Sequence, residues 1–404
     1  MIYLDHAATT PLGPEAAEAM ERAQADAFAN PSSPHAAGRR AKQSLEDSRE
    51  HILELLGATA SGRHRDRLVF TSGATEANRL GILGMATAAA MVRPGDRSPG
   101  MIFVSPRDHA SILSAAAAAA DRGFWIRSLP LSSSGVPDHA PLGERHATGS
   151  CTIATATVAC GQTGTVDDPR PLAAEYPHVL VHADATQSAA WIDMPFRDLG
   201  VSAMSVAPHK FGGPRGIGGL VVAHGRPIDP VVAGPQESGL RGGTEPVVLA
   251  AGFAAALSAA VGRRQTEAAR IAAIRDDFER RLLVTARECG IHAMAVGGDA
   301  RRSPHISTIS FPGLDRQAIV MAADLEGIAC STGTACSSGS AEPAPAIAAM
   351  SSSPQFVRGA VRFSFGAAST PEEIERSVER MTAVLRRIAP GHPRTAALGD
   401  RSSR

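Results

Sequence analysis

The chain has 404 residues, 44% of them hydrophobic, and exactly balanced charge, with 40 Lys and Arg against 40 Asp and Glu. That length exceeds what a single core usually sustains, so two domains are expected. A formal net charge of zero gives no whole-chain case for nucleic acid or an anionic membrane as the main partner. No uninterrupted apolar stretch has the length and flanks of a transmembrane helix or a signal peptide, so a cytoplasmic protein is expected. Cys151, Cys160, Cys289, Cys330 and Cys336 are odd in number and lack paired CxxC spacing, which suggests neither a disulfide framework nor a zinc site.

Residues 1–4 read as a short strand, followed by Asp5, His6 and a Thr9-Thr10-Pro11 turn. Residues 14–28 are helix-like and 30–34 form a loop. Ala41, Leu45, Ile52, Leu55 and Leu56 then recur at helical spacing until Gly57 closes the helix. A compact strand at 68–70 leads into Thr71-Ser72-Gly73-Ala74-Thr75-Glu76-Ala77-Asn78 and a helix-like run. A small-residue turn in that position offers backbone amides and hydroxyls to an anion, and equally serves as a tight turn with a capped helix. Strands at 101–105, 124–129, 152–159 and 179–185 follow, with a helix at 111–121; the last strand ends on Asp184. Strands alternating with helices predict an α/β fold with a mostly parallel sheet covered on both faces, and ligand chemistry at the carboxyl ends of its strands.

The next apolar strand, 201–207, turns at Pro208 and delivers His209 and Lys210, before a glycine-rich segment and a second apolar strand at 217–223. A lysine there sits partly out of water, which favours a neutral amine able to attack carbonyls; the ordinary alternative is a lysine whose stem snorkels to solvent. Thr75, Asp184 and Lys210 all fall just after predicted strands and could meet in one crevice. Beyond them, a small-residue helix at 245–262 precedes an amphipathic helix at 266–287 with Ile271, Ile274, Phe278 and Leu282 on one face. Strands at 305–311 and 360–365, with helices at 316–326 and 371–388, form a smaller α+β set. The expected division is a large domain at 15–263, a small domain built from 1–14 and 264–388, and a loose Pro, Gly, Ser and Arg-rich tail at 389–404.

The segment from Gly212 to Gly219 does not satisfy GxGxxG and leads into a strand, so a dinucleotide fingerprint fails. No histidine pair has ligand spacing, so no metal is expected. The loop at 330–340 is more informative. Cys330, after Ile328 and Ala329, reads as core, whereas Cys336 lies among small polar residues. Exposure and mobility suit a thiolate that must travel to a substrate and carry something away.

Taken together, YLDHAATTP at 3–11, FANPSSPH at 28–35, TSGATEAN at 71–78, the His109 segment, HADATQS at 182–188, PHKFGGPRGIG at 208–218, LRGGTEPV at 240–247, STGTACSSGSAEP at 331–343 and VRFSFG at 361–366 stand in one characteristic order. In them the chain resembles the NifS/IscS-like cysteine desulfurases, pyridoxal 5'-phosphate (PLP) enzymes of the class V aminotransferase family. The resemblance implies PLP fold type I, with a large domain around a mostly parallel seven-stranded sheet flanked by helices, plus a smaller α+β domain. It implies that Lys210 holds the cofactor covalently and moves protons at the substrate α-carbon. Asp184 would pair with the pyridinium nitrogen, His109 would stack on the ring, and Gln187 would bond the phenolic oxygen. Ala74, Thr75, Ser205 and His209 would bind the phosphate, joined by Thr244 from the other subunit of a homodimer. Arg362 and Asn30 would bind substrate, and Cys336 would take sulfur from L-cysteine as a persulfide for an acceptor protein. No direct binding of nucleic acid or membrane is expected. A selenocysteine lyase or another β-eliminating lyase shares this ring chemistry. A weakly active paralogue serving as a sulfur relay or assembly partner is the other alternative. It is suggested by departures from the family pattern, in which Gly161 replaces an asparagine, Ala207 a serine and Ala367 an arginine.

Overall fold

A computed structural model describes residues 1–91, 100–143, 151–333 and 343–389. Strand β1 (Ile2–Tyr3) opens the chain. A seven-stranded sheet is then built from β2 (Arg67–Thr71), β3 (Met101–Val104), β4 (Trp125–Ser128), β5 (Thr152–Thr157), β6 (Leu180–Asp184), β7 (Ala203–Val206) and β8 (Gly218–Val222). Its order is β2-β8-β7-β6-β5-β3-β4. Every pairing from β7 to β4 is parallel, and only β8 runs antiparallel to its neighbours β2 and β7.

The strands are apolar on both faces because both are covered. Leu68, Phe70, Phe103, Ala154, Val181 and Val221 join one core, and Val69, Ile102, Ile153, Ala203, Leu220 and Val222 join the other, as the two-residue period of a strand requires. The second face is covered by a helical run starting at Ala74 and by the helix Ala110–Ala120. On this face the polar side chains of His182, Asp184 and Ser205 interrupt the apolar pattern toward the strand ends.

Three short strands, β9 (Met294–Ala295), β10 (Ile306–Ser310) and β12 (Ala360–Ser364), form a separate antiparallel sheet in the order β12-β10-β9, while β11 (Ile328–Ala329) pairs with β1. A third core gathers Ile2 and Leu4 with Ile271, Phe278, Ile309, Phe363, Phe365, Ile374 and Val384. The amino terminus thus packs with the last third of the chain.

The helices expected at 245–262 and 266–287 are one helix, Val247–Glu288. Gly262 marks a break in the sequence pattern, but an interior glycine costs a helix only about 1 kcal/mol. Phe253 and Leu257 are anchored in the larger core and Ile271, Phe278 and Leu282 in the smaller one, so packing at both ends carries the helix through. Part of this helix is long and apolar enough to match a membrane span by length and composition, contrary to the sequence reading. Val247, Ala250, Phe253 and Leu257 lie instead in the protein core.

Candidate active site

Lys210 ends the short turn Pro208–Lys210 that follows β7. Its tip is not led to solvent: Nζ donates to the carbonyls of Ala7 and Ala8, both at 2.8 Å. The same Ala7 carbonyl accepts Gln187 Nε2 at 2.8 Å, so the segment after β1 ties Lys210 and Gln187 together. Thr10 N donates to His209 O at 2.9 Å, and Thr9 Oγ1 lies 3.2 Å from His209 Nδ1. Burial, reinforced by the positive charges of Lys210 and Arg215, lowers the His209 pKa to about 4, so its imidazole is neutral at neutral pH.

Asp184 closes β6, in register with Thr157 on β5 and Ser205 on β7. Its Oδ1 accepts Thr186 N at 2.9 Å and its Oδ2 accepts Asn78 Nδ2 at 3.0 Å, which leaves lone pairs for one further donor. Beneath it His182 Nε2 lies 2.9 Å from Asn78 Oδ1 and 3.2 Å from Ser205 Oγ. Burial lowers the His182 pKa to about 4, against the opposing pull of the Asp184 charge. Ser205, expected on the phosphate, is fully buried, and its hydroxyl lies 3.2 Å from His182 Nε2.

His109 is exposed and caps the helix Ala110–Ala120; its Nδ1 accepts Ser111 N at 3.1 Å and lies 2.8 Å from Ser111 Oγ. The turn beneath it is held by Asp108, whose carboxylate accepts Ser105 N and the hydroxyls of Thr155 and Thr157. Complete burial raises the Asp108 pKa despite these bonds. Gln187 Oε1 lies 3.2 Å from His305 Nε2, and His305 stacks on Trp191 at 4.8 Å. Burial, then the neighbouring His6, Arg362 and Lys210, pushes His305 well below the usual histidine range.

Ala74 and Thr75 begin the helical run after β2. A Cβ at Gly218 would lie 2.5 Å from Gly73 C and 2.9 Å from Ala74 N, so β8 supports this turn by direct backbone contact that only glycine allows. Glu76 Oε1 accepts Arg241 Nε at 3.0 Å, tying the turn to the loop that carries Thr244. Thr244 itself is exposed.

Arg362, on β12, is buried; Nη1 donates to Gly161 O at 2.8 Å and Nη2 to Asp5 Oδ1 at 2.7 Å. Asp5 thus holds only one nitrogen of a guanidinium suited to forked carboxylate binding. Asn30 is exposed, and its Oδ1 is engaged locally by Ser32 N at 2.9 Å. Cys336 lies outside the described residues. No cluster of three metal-binding side chains occurs among those described. Asn78, Ser111, His182, His305 and Asp5 were not singled out in the sequence. The signal available for His182 was its position two residues before Asp184, hence on the same strand face.

These groups suit a pyridine ring bearing an aldehyde and a phosphate. An amine and a carboxylate stand at the ends of adjoining strands, an imidazole stands at a third strand end, and a glycine-supported turn starts a helical run. Comparison with known proteins agrees. The Aminotransferase class-V family model matches residues 2–376. Cysteine desulfurase IscS of Dictyoglomus turgidum is 33% identical over 395 residues, covering 96% of each chain. The solved structure of a NifS-like protein from Rickettsia africae superposes with a TM-score of 0.82 at 26% identity, covering 95% of this chain and 99% of that one. A structure described as SspA in complex with cysteine gives 0.74 at 26% identity, covering 92% and 100%. The chain belongs to the class-V aminotransferase family, in its group of NifS/IscS-like cysteine desulfurases, and has the fold-type-I architecture of PLP enzymes.

Proposed function

We propose that this chain is a PLP-dependent cysteine desulfurase that converts L-cysteine to L-alanine and keeps the sulfur on Cys336. The observation that carries this reading is that Lys210 and Gln187 share the Ala7 carbonyl, with Arg362 held by Asp5 on the same amino-terminal segment and Asp184 closing the strand beside the one that leads to Lys210. When bound, PLP supplies an electron sink for the substrate α-carbon. Lys210 would hold its aldehyde carbon and move the α-proton. Asp184 would pair with the ring nitrogen, His109 would cover the ring, and Gln187 would bond the phenolic oxygen. Ala74, Thr75 and His209 would hold the phosphate, in a homodimer whose second copy contributes its own Thr244.

Arg362 would exchange its single bond to Asp5 for a forked pair to the substrate carboxylate. Cys336 then attacks the substrate sulfur as a thiolate. The sulfur–sulfur bond forms, the carbon–sulfur bond breaks, and the carbon takes a proton, so one cysteine yields one alanine and one persulfide. Two of the other cysteines are poorly suited to this: Cys160 is buried, and burial pushes the Cys330 thiol up to about 12. Transfer to an acceptor protein in the cytoplasm completes the cycle, and the free cysteines fit a reducing compartment.

The test is Cys336→Ser, with alanine and sulfide release from L-cysteine measured beside the cofactor absorbance. We expect turnover to fall at least roughly a hundredfold, as for loss of a covalent nucleophile, with the absorbance band retained. Equal turnover would overturn the persulfide route, and absence of any cofactor band in the wild-type protein would overturn the PLP reading.

A further inference from the structure

The buried amide of Asn78 sits between Asp184, which would pair with the ring nitrogen, and Ser111, which carries the bond to His109, the group that would cover the ring. Its Nδ2 donates to Asp184 Oδ2 and to Ser111 Oγ, both at 3.0 Å, and its Oδ1 lies 2.9 Å from His182 Nε2. The direction of every bond follows from one fact: an ionised carboxylate only accepts. The amide nitrogen must therefore face Asp184, since the flipped amide would set its oxygen against the carboxylate. His182 must then carry its proton on Nε2 to donate to Asn78 Oδ1.

The other His182 nitrogen has no hydrogen-bond partner among the described residues, and Gly81 packs against it so closely that a Cβ there would lie 2.4 Å from Nδ1. Gly81 belongs to the π-helical turn Leu80–Gly84 that follows Asn78, an irregularity that brings the backbone onto the histidine. On the other side, Ser111 Oγ accepts from Asn78, so its one hydrogen is left for His109 Nδ1 at 2.8 Å. That nitrogen also accepts Ser111 N at 3.1 Å. With two donors on Nδ1, the neutral His109 ring carries its proton on Nε2.

We propose that Asn78 is a positioning residue for the desulfurase reaction, fixing the Asp184 carboxylate at the ring nitrogen while setting, through Ser111, the direction of the hydroxyl hydrogen bond that His109 accepts. The inference rests on the function proposed above. Neither arm requires Asn78 to touch substrate: it acts through Asp184 on one side and through Ser111 on the other.

The experiment compares the full-length PLP-loaded wild type with Asn78→Asp and Ser111→Ala. Asn78→Asp keeps the shape but removes both donors and faces Asp184 with a second carboxylate. We expect PLP affinity to fall roughly ten- to a hundredfold, the range for one lost hydrogen bond to a charged group. The pH midpoint of the cofactor absorbance should move by about one unit or more, a shift that loss of packing alone would not produce. Ser111→Ala spares the Asp184 arm, so its PLP affinity and absorbance midpoint should stay within about twofold and a few tenths of a unit of wild type, while kcat falls at similar KM. Nitrogen-15 NMR of the loaded wild type, assigned with His109→Asn, should show the Nε2-protonated ring at His109.

Wild-type affinity and midpoint in Asn78→Asp, equal effects of both substitutions on the cofactor band, or an Nδ1-protonated His109 would each overturn the proposal. If Asn78→Asp does not fold, Asn78→Ser, which shortens the side chain away from Asp184, takes its place with the same expected losses, and wild-type affinity and midpoint in it would overturn the proposal. A wild-type protein that binds no PLP would instead refute the underlying function.

Discussion

Glu237 offers the sharpest quantitative test of how the loop carrying Thr244 is held. Its side chain is 2% exposed, and both carboxylate oxygens meet Arg49, at 2.7 and 3.1 Å. Oε2 also accepts Phe70 N at 2.9 Å, while Arg49 Nη1 donates to Leu68 O at 2.6 Å. Phe70 and Leu68 lie on β2, an edge strand, so this one ion pair covers both an outward N–H and an outward carbonyl of the sheet edge. The guanidinium further sits 4.7 Å from the centre of the Phe70 ring. The backbone is strained in return: Glu237 and Ser238 have φ of 49° and 55°, a conformation costing roughly 1–2 kcal/mol for each non-glycine residue.

Removing one partner of a buried pair leaves the other charge uncompensated, so Glu237→Ala should destabilise by about 3–5 kcal/mol. Arg49→Met should cost a similar amount. The double variant loses both charges together, and buried pairs replaced as a unit by apolar groups are often near neutral, so the double cost should fall at least about 2 kcal/mol below the sum of the single costs. Ser238→Gly should stabilise by about 1 kcal/mol by relieving the positive φ. Urea denaturation of the four variants beside wild type, followed by circular dichroism, measures all of this. Additive single costs, with a coupling below about 0.5 kcal/mol, would refute the claim that the pair acts as one buried clamp.

Two further outcomes are expected. His6, His182 and His209 are each lowered to about 4, so the unfolded chain takes up their protons first; their stabilisation is full above about pH 6.5 and is lost as pH falls towards 4. For fully buried His182 alone the loss is on the order of 3 kcal/mol, and denaturation midpoints that stay flat from pH 7.5 to 4.5 would refute it. Gly218→Ala, which drives a methyl group into the backbone of Gly73, should cost about 1–3 kcal/mol and weaken PLP binding roughly tenfold; unchanged cofactor titration would show that β8 does not support the phosphate turn.

What the sequence made legible, and what it did not, follows from where the information lies. Lys210 and Asp184 could be found because each follows an apolar run of strand length, and a polar residue at the end of a buried strand has few ordinary explanations. The break expected at Gly262 did not occur because local propensity is weak beside burial of Phe253 at one end and Phe278 at the other. Ser205 is fully buried with its hydroxyl on His182, a depth that residue type in a motif does not carry. Strand residues two apart share a face but stand about 6.6 Å apart along it. The same step separates His182 from Asp184. A polar side chain one such step behind a strand-end functional group cannot reach the ligand, and must be satisfied from within the layer. Applied to β6, that rule selects His182 as a support, and its contacts to Asn78 at 2.9 Å and to Ser205 at 3.2 Å are the satisfaction it requires. It does not select Asn78, because the helix that covers this face reaches the strand ends only after the chain has folded over them.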